Sequence, residues 1–75
     1  MDWSIVQNKL REHIGEYISI QRFLFKMVLR VKLLNATLNV LIVEQEGKES
    51  MVILDSMDII VFGVGEKPVT LIKPQ

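Results

Sequence analysis

Few side chains in this chain could do covalent or acid–base chemistry. The sequence has no Cys and one His, His13, so thiolate and His-rich metal sites are excluded. No Ser, Cys or Asp accompanies His13 at a spacing that pairs a nucleophile with a base. We interpret His13 as a partner of a helix C-terminal dipole. The sequence therefore predicts no enzyme activity, no catalytic residue, no cofactor and no metal.

Two acidic residues and a glycine pair offer weaker chemical signals. Asp55 and Asp58 could form a carboxylate pair, but two acids this close are typical of a turn. Gly63 and Gly65 lack the third glycine and the following helix of a dinucleotide-binding motif. Both segments are predicted to be loops.

Four basic residues share one parity of an alternating stretch: Arg22, Lys26, Arg30 and Lys32. This basic row could contact nucleic-acid phosphates, or it could be the solvated face of a strand. Asn39 could hydrogen-bond a base edge or satisfy backbone groups of a turn. Asn35 and Thr37 lie nearby in the chain and complete the candidate nucleic-acid site.

The charges are distributed unevenly along the chain. The formal net charge is zero, but residues 1–37 carry six basic and three acidic side chains. Residues 38–75 carry three basic and six acidic side chains. This polarity permits an anionic partner or head-to-tail self-association.

The first residues of the chain have the apolar spacing of a helix. Apolar residues recur every three or four positions, namely Trp3, Val6, Leu10 and Ile14. Asp2 or Ser4 can cap the first turn, and Gly15 is a helix stop. The sequence predicts a helix over about 3–14.

Period-2 alternation follows the helix. A first strand begins at Tyr17, and residues 22–33 alternate apolar with polar, which predicts a strand with one buried and one wet face. A turn is expected at 35–37, with further strands at 38–43, 51–54 and 59–62. Residues 69–72 could add an edge strand. The sequence leaves open whether Phe23, Leu24 and Phe25 form a turn or a continuous strand.

A chain of 75 residues forms one small domain with thin stability. Without disulfides or metals, oligomerisation is the remaining way to add stability. In strands 38–43 and 59–62, apolar residues occupy both odd-numbered and even-numbered positions. The side chains on one face would fill the interior, and those on the other face would point outward from an edge strand. We expect a homo-oligomer, with an interface drawn from Val40, Ile42, Ile59, Ile60, Val61 and Phe62. A protein partner could cover Phe23, Leu24 and Phe25.

The order of these elements resembles the Sm-like family, which includes bacterial Hfq. The run Asn35-Ala36-Thr37-Leu38-Asn39 before an apolar strand is similar to the family's first motif, and 54–62 occupies the place of the second. The resemblance implies an N-terminal helix and a small, strongly bent five-stranded antiparallel barrel. It also implies a ring in which the fourth and fifth strands of neighbours pair, and RNA as a ligand.

The chain also departs from that family. Residues 26–33 lack the usual bend glycine, Thr37 replaces a stacking residue, and Asp55 replaces an Arg. Stacking needs a π-face and an RNA backbone disfavours a carboxylate, so the match favours the barrel over RNA binding. The closing strands also resemble PRC-barrel domains, which commonly dock proteins.

The predicted object is thus a single all-β domain over 1–75, with a barrel at about 16–62 and an extension at 63–75. Its predicted function is an oligomeric assembly or docking module, with RNA binding and PRC-barrel-like protein binding as alternatives. With no Cys, no signal peptide and no membrane span in the sequence, we expect a cytoplasmic location.

Overall fold

A computed structural model describes residues 2–63 and the backbone of a strand at 70–72. The N-terminal helix, α1, runs over Trp3–Arg11. Asp2 is its N-cap, and its carboxylate accepts hydrogen bonds from the Ser4 backbone N–H (3.0 Å) and hydroxyl (2.6 Å). These bonds, the hydroxyl bond first, lower the pKa of Asp2 below its ordinary value of 3.8.

Helix α1 ends one turn earlier than the sequence predicted. Gly15 adopts φ +91°, a conformation that favours glycine. Its N–H donates to the Leu33 carbonyl over 2.7 Å, and the Leu33 N–H donates to the Glu16 carbonyl over 2.9 Å. The chain has therefore joined the sheet by residue 15, which leaves Ile14 exposed rather than on the buried stripe.

In the described part of the chain six strands follow the helix: β1 (Tyr17–Arg22), β2 (Met27–Thr37), β3 (Val40–Gln45), β4 (Lys48–Ile53), β5 (Ile59–Phe62) and β6 (Thr70–Ile72). They form one sheet in the order β4-β3-β2-β1-β5-β6, and all described pairs are antiparallel. The prediction of a mostly β fold behind an N-terminal helix is confirmed, as is the extra C-terminal strand. The expected closed barrel is not formed, because the described sheet is open with β4 and β6 at its edges.

A β-bulge bends the long strand β2. Its register with β3 shifts between Leu33 and Asn35, which leaves Leu34 as the extra residue. A bulge bends a strand and increases its twist, so it supplies the bend for which the sequence has no glycine. The first part of β2 pairs with β1 and the last part with β3. Both parts contribute to one core: Val6, Leu10, Ile18, Ile20, Val31, Leu33, Ala36, Leu41, Val43, Val52, Leu54, Ile60 and Phe62.

Two turns differ from the predicted positions. Strand β2 continues through 35–37, where a turn was expected, and the turn falls at Leu38 and Asn39. Leu38 has φ +51°, and its N–H donates to the Gln7 side chain of α1 over 2.8 Å. Strand β4 begins at Lys48 rather than at 51, because residues 46 and 47 suffice for its hairpin.

The segment that the sequence left open is a turn. Residues 23–26 connect β1 to β2; Phe25 N–H donates to the Arg22 carbonyl and Lys26 N–H to the Phe23 carbonyl, both over 3.2 Å. Lys26 adopts φ +49°. The alternation over 22–33 predicted one continuous buried face, but the turn interrupts it and leaves Phe23, Phe25 and Met27 exposed.

Candidate functional site

The most exposed apolar cluster lies at the β1–β2 turn, which we call the hairpin tip (residues 23–26). Phe23, Leu24 and Phe25 are 66%, 57% and 61% exposed. The Arg22 guanidinium lies 4.8 Å from the centroid of the Phe25 ring and holds that ring by a cation–π contact. Large apolar side chains concentrated in this way mark a surface that meets an apolar partner.

An open groove of ≈ 330 Å³ lies at the base of the hairpin tip. Its walls include Phe23, Met27, Val28 and Ile59, with Gln21 and Arg22 between them. Val28 is opposite Gln21 on β1, and Gln21 is opposite Ile59 on β5, so three strands line the groove in register. The groove extends the apolar surface of the tip onto the sheet.

A second apolar surface lies on the outer face of edge strand β4. Met51 is 62% exposed and Ile53 is 58% exposed. They lie opposite Ile42 and Val40 of β3, whose side chains are half-buried. The apolar pattern of β3 predicted Val40 and Ile42 in an interface, but Met51 and Ile53 were not predicted there. The two-residue turn at Glu46 and Gly47 was the signal, because it fixes the register in which positions 51 and 53 face outward.

The backbone of β4 also has groups that face away from β3, and Arg22 already occupies one of them, the Ile53 carbonyl. The Ile53 carbonyl accepts a hydrogen bond from Arg22 Nη2 over 2.7 Å, from outside the β3–β4 ladder. Backbone groups of alternate residues in a strand point to the same edge, so those of Met51 and Glu49 share this edge. Within the described residues, β4 pairs only with β3.

The predicted basic row does not lie on one surface. Arg22 points inward; its Nη2 lies 3.2 Å from the Asp58 carboxylate, and their side chains are 15% and 1% exposed. Arg22 therefore ties the ends of β1 and β4 to the β4–β5 connection instead of contacting a ligand. Lys26 is exposed at the tip, and Arg30 and Lys32 lie on the outer face of β2.

Of the remaining nucleic-acid candidates, Asn39 and Asn35 hydrogen-bond to backbone groups. Asn39 Nδ2 donates to the Leu54 carbonyl over 3.2 Å, and the Asn39 carbonyl accepts from Leu54 N–H over 2.7 Å. Asn35 Oδ1 accepts from Ala36 N–H over 2.8 Å at the bulge. Thr37 is exposed at the end of β2. Of the two roles considered for Asn39, satisfying backbone groups of a turn is the one observed.

Strand β5 contributes differently from the way the interface prediction envisaged. Ile60 and Phe62 are fully buried in the core, so of this strand only Ile59 and Val61 reach the surface. The far edge of β5 pairs with β6. A neighbouring β4 could add to β5 only by displacing β6.

The other chemical candidates have structural roles. The His13 ring stacks on Phe62 with centroids 4.0 Å apart, and its Nδ1 lies 3.1 Å from the Glu16 carboxylate. The helix-dipole interpretation of His13 stays a prediction beside this stacking. Asp55 Oδ1 accepts from Met57 N–H over 3.0 Å, as expected of turn chemistry. The glycine pair at 63 and 65 lies partly outside the described residues.

Three or more potential metal ligands do not cluster anywhere in the described part of the chain. Nor do the described residues include a helix long and apolar enough to cross a membrane. The chain matches no protein-family model, no curated protein and no solved structure. The two apolar surfaces are therefore the features from which a function can be inferred.

Proposed function

We propose that this chain is a non-enzymatic assembly module that self-associates through edge strand β4. The observation that carries the proposal is the coincidence of unpaired backbone groups with two exposed apolar side chains, Met51 and Ile53, on one edge. An open edge pairs readily with another strand unless charge, proline or a bulge protects it. Glu49 is the one charged residue whose backbone groups share this edge.

The simplest partner is a second copy of the same strand. Since β6 occupies the edge of β5, a second copy can pair with β4 without displacing β6. An antiparallel register centred on Met51 lets the two Met51 residues exchange N–H and C=O bonds about a two-fold axis. The Met51 and Ile53 side chains of both copies then form one apolar strip with Val40 and Ile42. This assembly differs from the ring that the Sm-like resemblance implies.

A proline at position 51 tests the backbone part of the proposal. The Met51 N–H faces the free edge, so Met51→Pro removes an intermolecular donor while leaving the β3–β4 ladder intact. We expect the wild type to scatter light with at least twice the 8.7 kDa chain mass at micromolar concentration, and Met51→Pro with the mass of one chain. A wild-type mass of 8.7 kDa contradicts the proposal.

A lysine at position 53 tests the side-chain part. Ile53→Lys places a charge in the apolar strip and should also give a monomer. The matched control is Ile5→Lys, because Ile5 is 67% exposed and lies on α1, which packs mainly against β2. If both lysine variants dissociate equally, β4 is not the interface.

A further inference from the structure

We propose that the hairpin tip docks this protein on an anionic lipid surface. This inference is independent of self-association, because the tip belongs to the β1–β2 turn and the assembly surface to β4. The three apolar side chains at its apex would enter the boundary between headgroups and acyl chains. The basic side chains beside them would contact anionic headgroups.

The shape of the hairpin fits a lipid surface. Strand β5 pairs with β1 only as far as Gln21, and β3 pairs with β2 only from Lys32 onward. Among the described residues, 27–31 pair with β1 alone. The turn and the Arg22–Met27 pair thus lie beyond the last residue at which β5 flanks the hairpin, and Phe23, Leu24 and Phe25 are exposed together there.

The backbone of the tip is prepared for an apolar environment. Unpaired N–H and C=O groups are costly in lipid, so an inserting loop must satisfy them internally. The N–H groups of Phe25 and Lys26 donate to the carbonyls of Arg22 and Phe23 within the turn. Two of the four N–H groups of the turn therefore need no partner from the lipid.

The charges around the tip complement an anionic surface. Residues 17–43 contain four basic side chains and no carboxylate. Lys26 and Arg30 are exposed and form no ion pair within residues 2–63, whereas Arg22 is paired with Asp58. The long side chains of Lys26 and Arg30 can reach headgroups while the apolar residues lie deeper. A folded protein partner would not require this one-sided charge.

Vesicle co-flotation tests the inference with the full chain. We expect binding to phosphatidylcholine vesicles containing phosphatidylserine, and at least tenfold weaker binding to vesicles of phosphatidylcholine alone. The variant Phe23→Ser/Leu24→Ser/Phe25→Ser should bind at least tenfold more weakly than wild type. The matched control Met51→Ser/Ile53→Ser removes apolar surface of comparable exposure from β4. It should still bind the anionic vesicles, like the monomeric Met51→Pro variant.

The ionic contribution has its own control. Lys26→Gln/Arg30→Gln should remove most of the preference for phosphatidylserine, whereas Lys9→Gln on α1 should keep it. Raising the salt concentration should weaken wild-type binding, since exposed charges are screened. Equal binding to both vesicle types would overturn the ionic part of the inference.

Insertion itself can be observed with a tryptophan at the apex. Leu24→Trp should show a blue shift and quenching by brominated lipid, beyond the background from the single native Trp3. Absence of both, or wild-type binding by the triple serine variant, refutes docking through the tip. If that variant instead loses self-association and the wild type ignores vesicles, the tip is a protein contact. The monomeric Met51→Pro variant separates the two proposals, because it should still bind anionic vesicles.

Discussion

Breaking the buried ion pair between Arg22 and Asp58 from one side should cost a large fraction of the stability of this domain. Asp58 is almost fully buried, and besides Arg22 its carboxylate accepts one backbone hydrogen bond, from Asp55 N–H over 2.8 Å. Arg22 additionally donates to the Ile53 carbonyl. Arg22 Nε and Asp58 Oδ1 have no hydrogen-bond partner among the described atoms. If one ion is removed, no other described group next to the remaining ion compensates its charge.

Removing one ion leaves the other buried and uncompensated, which typically costs about 3–5 kcal/mol. We expect Arg22→Met to fall near the upper end, because it strands a carboxylate that is 1% exposed. Asp58→Ala should fall near the lower end, because the 15% exposed guanidinium can turn toward water. A domain of this length has a total stability of roughly 4–11 kcal/mol, so either change is severe.

Urea unfolding followed by circular dichroism measures these costs. With a slope of about 1 kcal/mol per molar, a loss near the upper end of that range should lower the midpoint of Arg22→Met by about 5 M. Protein concentration must be held constant, since self-association raises apparent stability. The control is Lys9→Met, which breaks the exposed 3.7 Å pair with Glu12 and should cost less than about 0.5 kcal/mol.

A double variant separates the cost of an uncompensated charge from the cost of substituting the two side chains. Arg22→Met/Asp58→Leu removes both charges and should be more stable than Arg22→Met alone, because no uncompensated ion remains. If Arg22→Met is so unstable that it does not fold, recovery of a cooperative transition in the double variant still provides the test. The reasoning is refuted if Arg22→Met costs no more than Lys9→Met, or if the two charge removals simply add.

The remaining predictions concern a turn and a helix cap. Asn39→Ala should lower the free energy of unfolding by about 1 kcal/mol through loss of the bond to the Leu54 carbonyl, and filter binding with oligo-U should not change. Normal stability with loss of oligo-U binding would restore Asn39 to an RNA site. Since the folded pKa of Asp2 is lowered, its cap stabilises α1 above the unfolded value of 3.8, and this contribution is lost as the pH falls through the folded pKa. The difference in unfolding midpoint between wild type and Asp2→Asn should therefore diminish on acidification, and a constant difference would show that the ionised cap contributes nothing.

Local patterns determined much of this fold. The predicted span of β5, 59–62, coincides with the strand, because a short apolar run between turn signals leaves little choice. The start of α1 was also predictable, since Asp2 and Ser4 supply the cap within two residues of each other. The turn at 55–58 was predictable as well, because Asp side chains hydrogen-bond nearby backbone N–H groups, as Asp55 does with Met57.

The position of the β2–β3 turn depended on packing. Asn35, Ala36 and Thr37 have turn-forming character, but Ala36 is fully buried and its carbonyl accepts from Arg11 Nε of α1 over 2.9 Å. Docking of the helix keeps these residues in β2 and moves the turn to Leu38. Propensity at one site is weaker than burial and a distant hydrogen bond.

Side-chain alternation alone also misplaced Arg22. Parity assigned it to a wet basic face with Lys26, Arg30 and Lys32, because the sequence carries no glycine, asparagine or proline to signal the turn at 23–26. The turn ends the alternation, and Arg22 then lies opposite Met27 on the inward parity. Asp58, 36 positions further along the chain, is the ion that makes this burial tolerable.

The sequence by itself determined that the chain is a small β-rich domain with a capped helix and more apolar surface than its core could hide. Only the tertiary structure decided which apolar side chains stay outside. That choice depends on the bulge at Leu34, which shifts the alternation of β2 by one residue so that Leu33 and Ala36 both face the core. The hairpin tip and the outer face of β4 remain exposed. Long-range pairing of this kind is set by the whole sheet, and no local window of the sequence contains it.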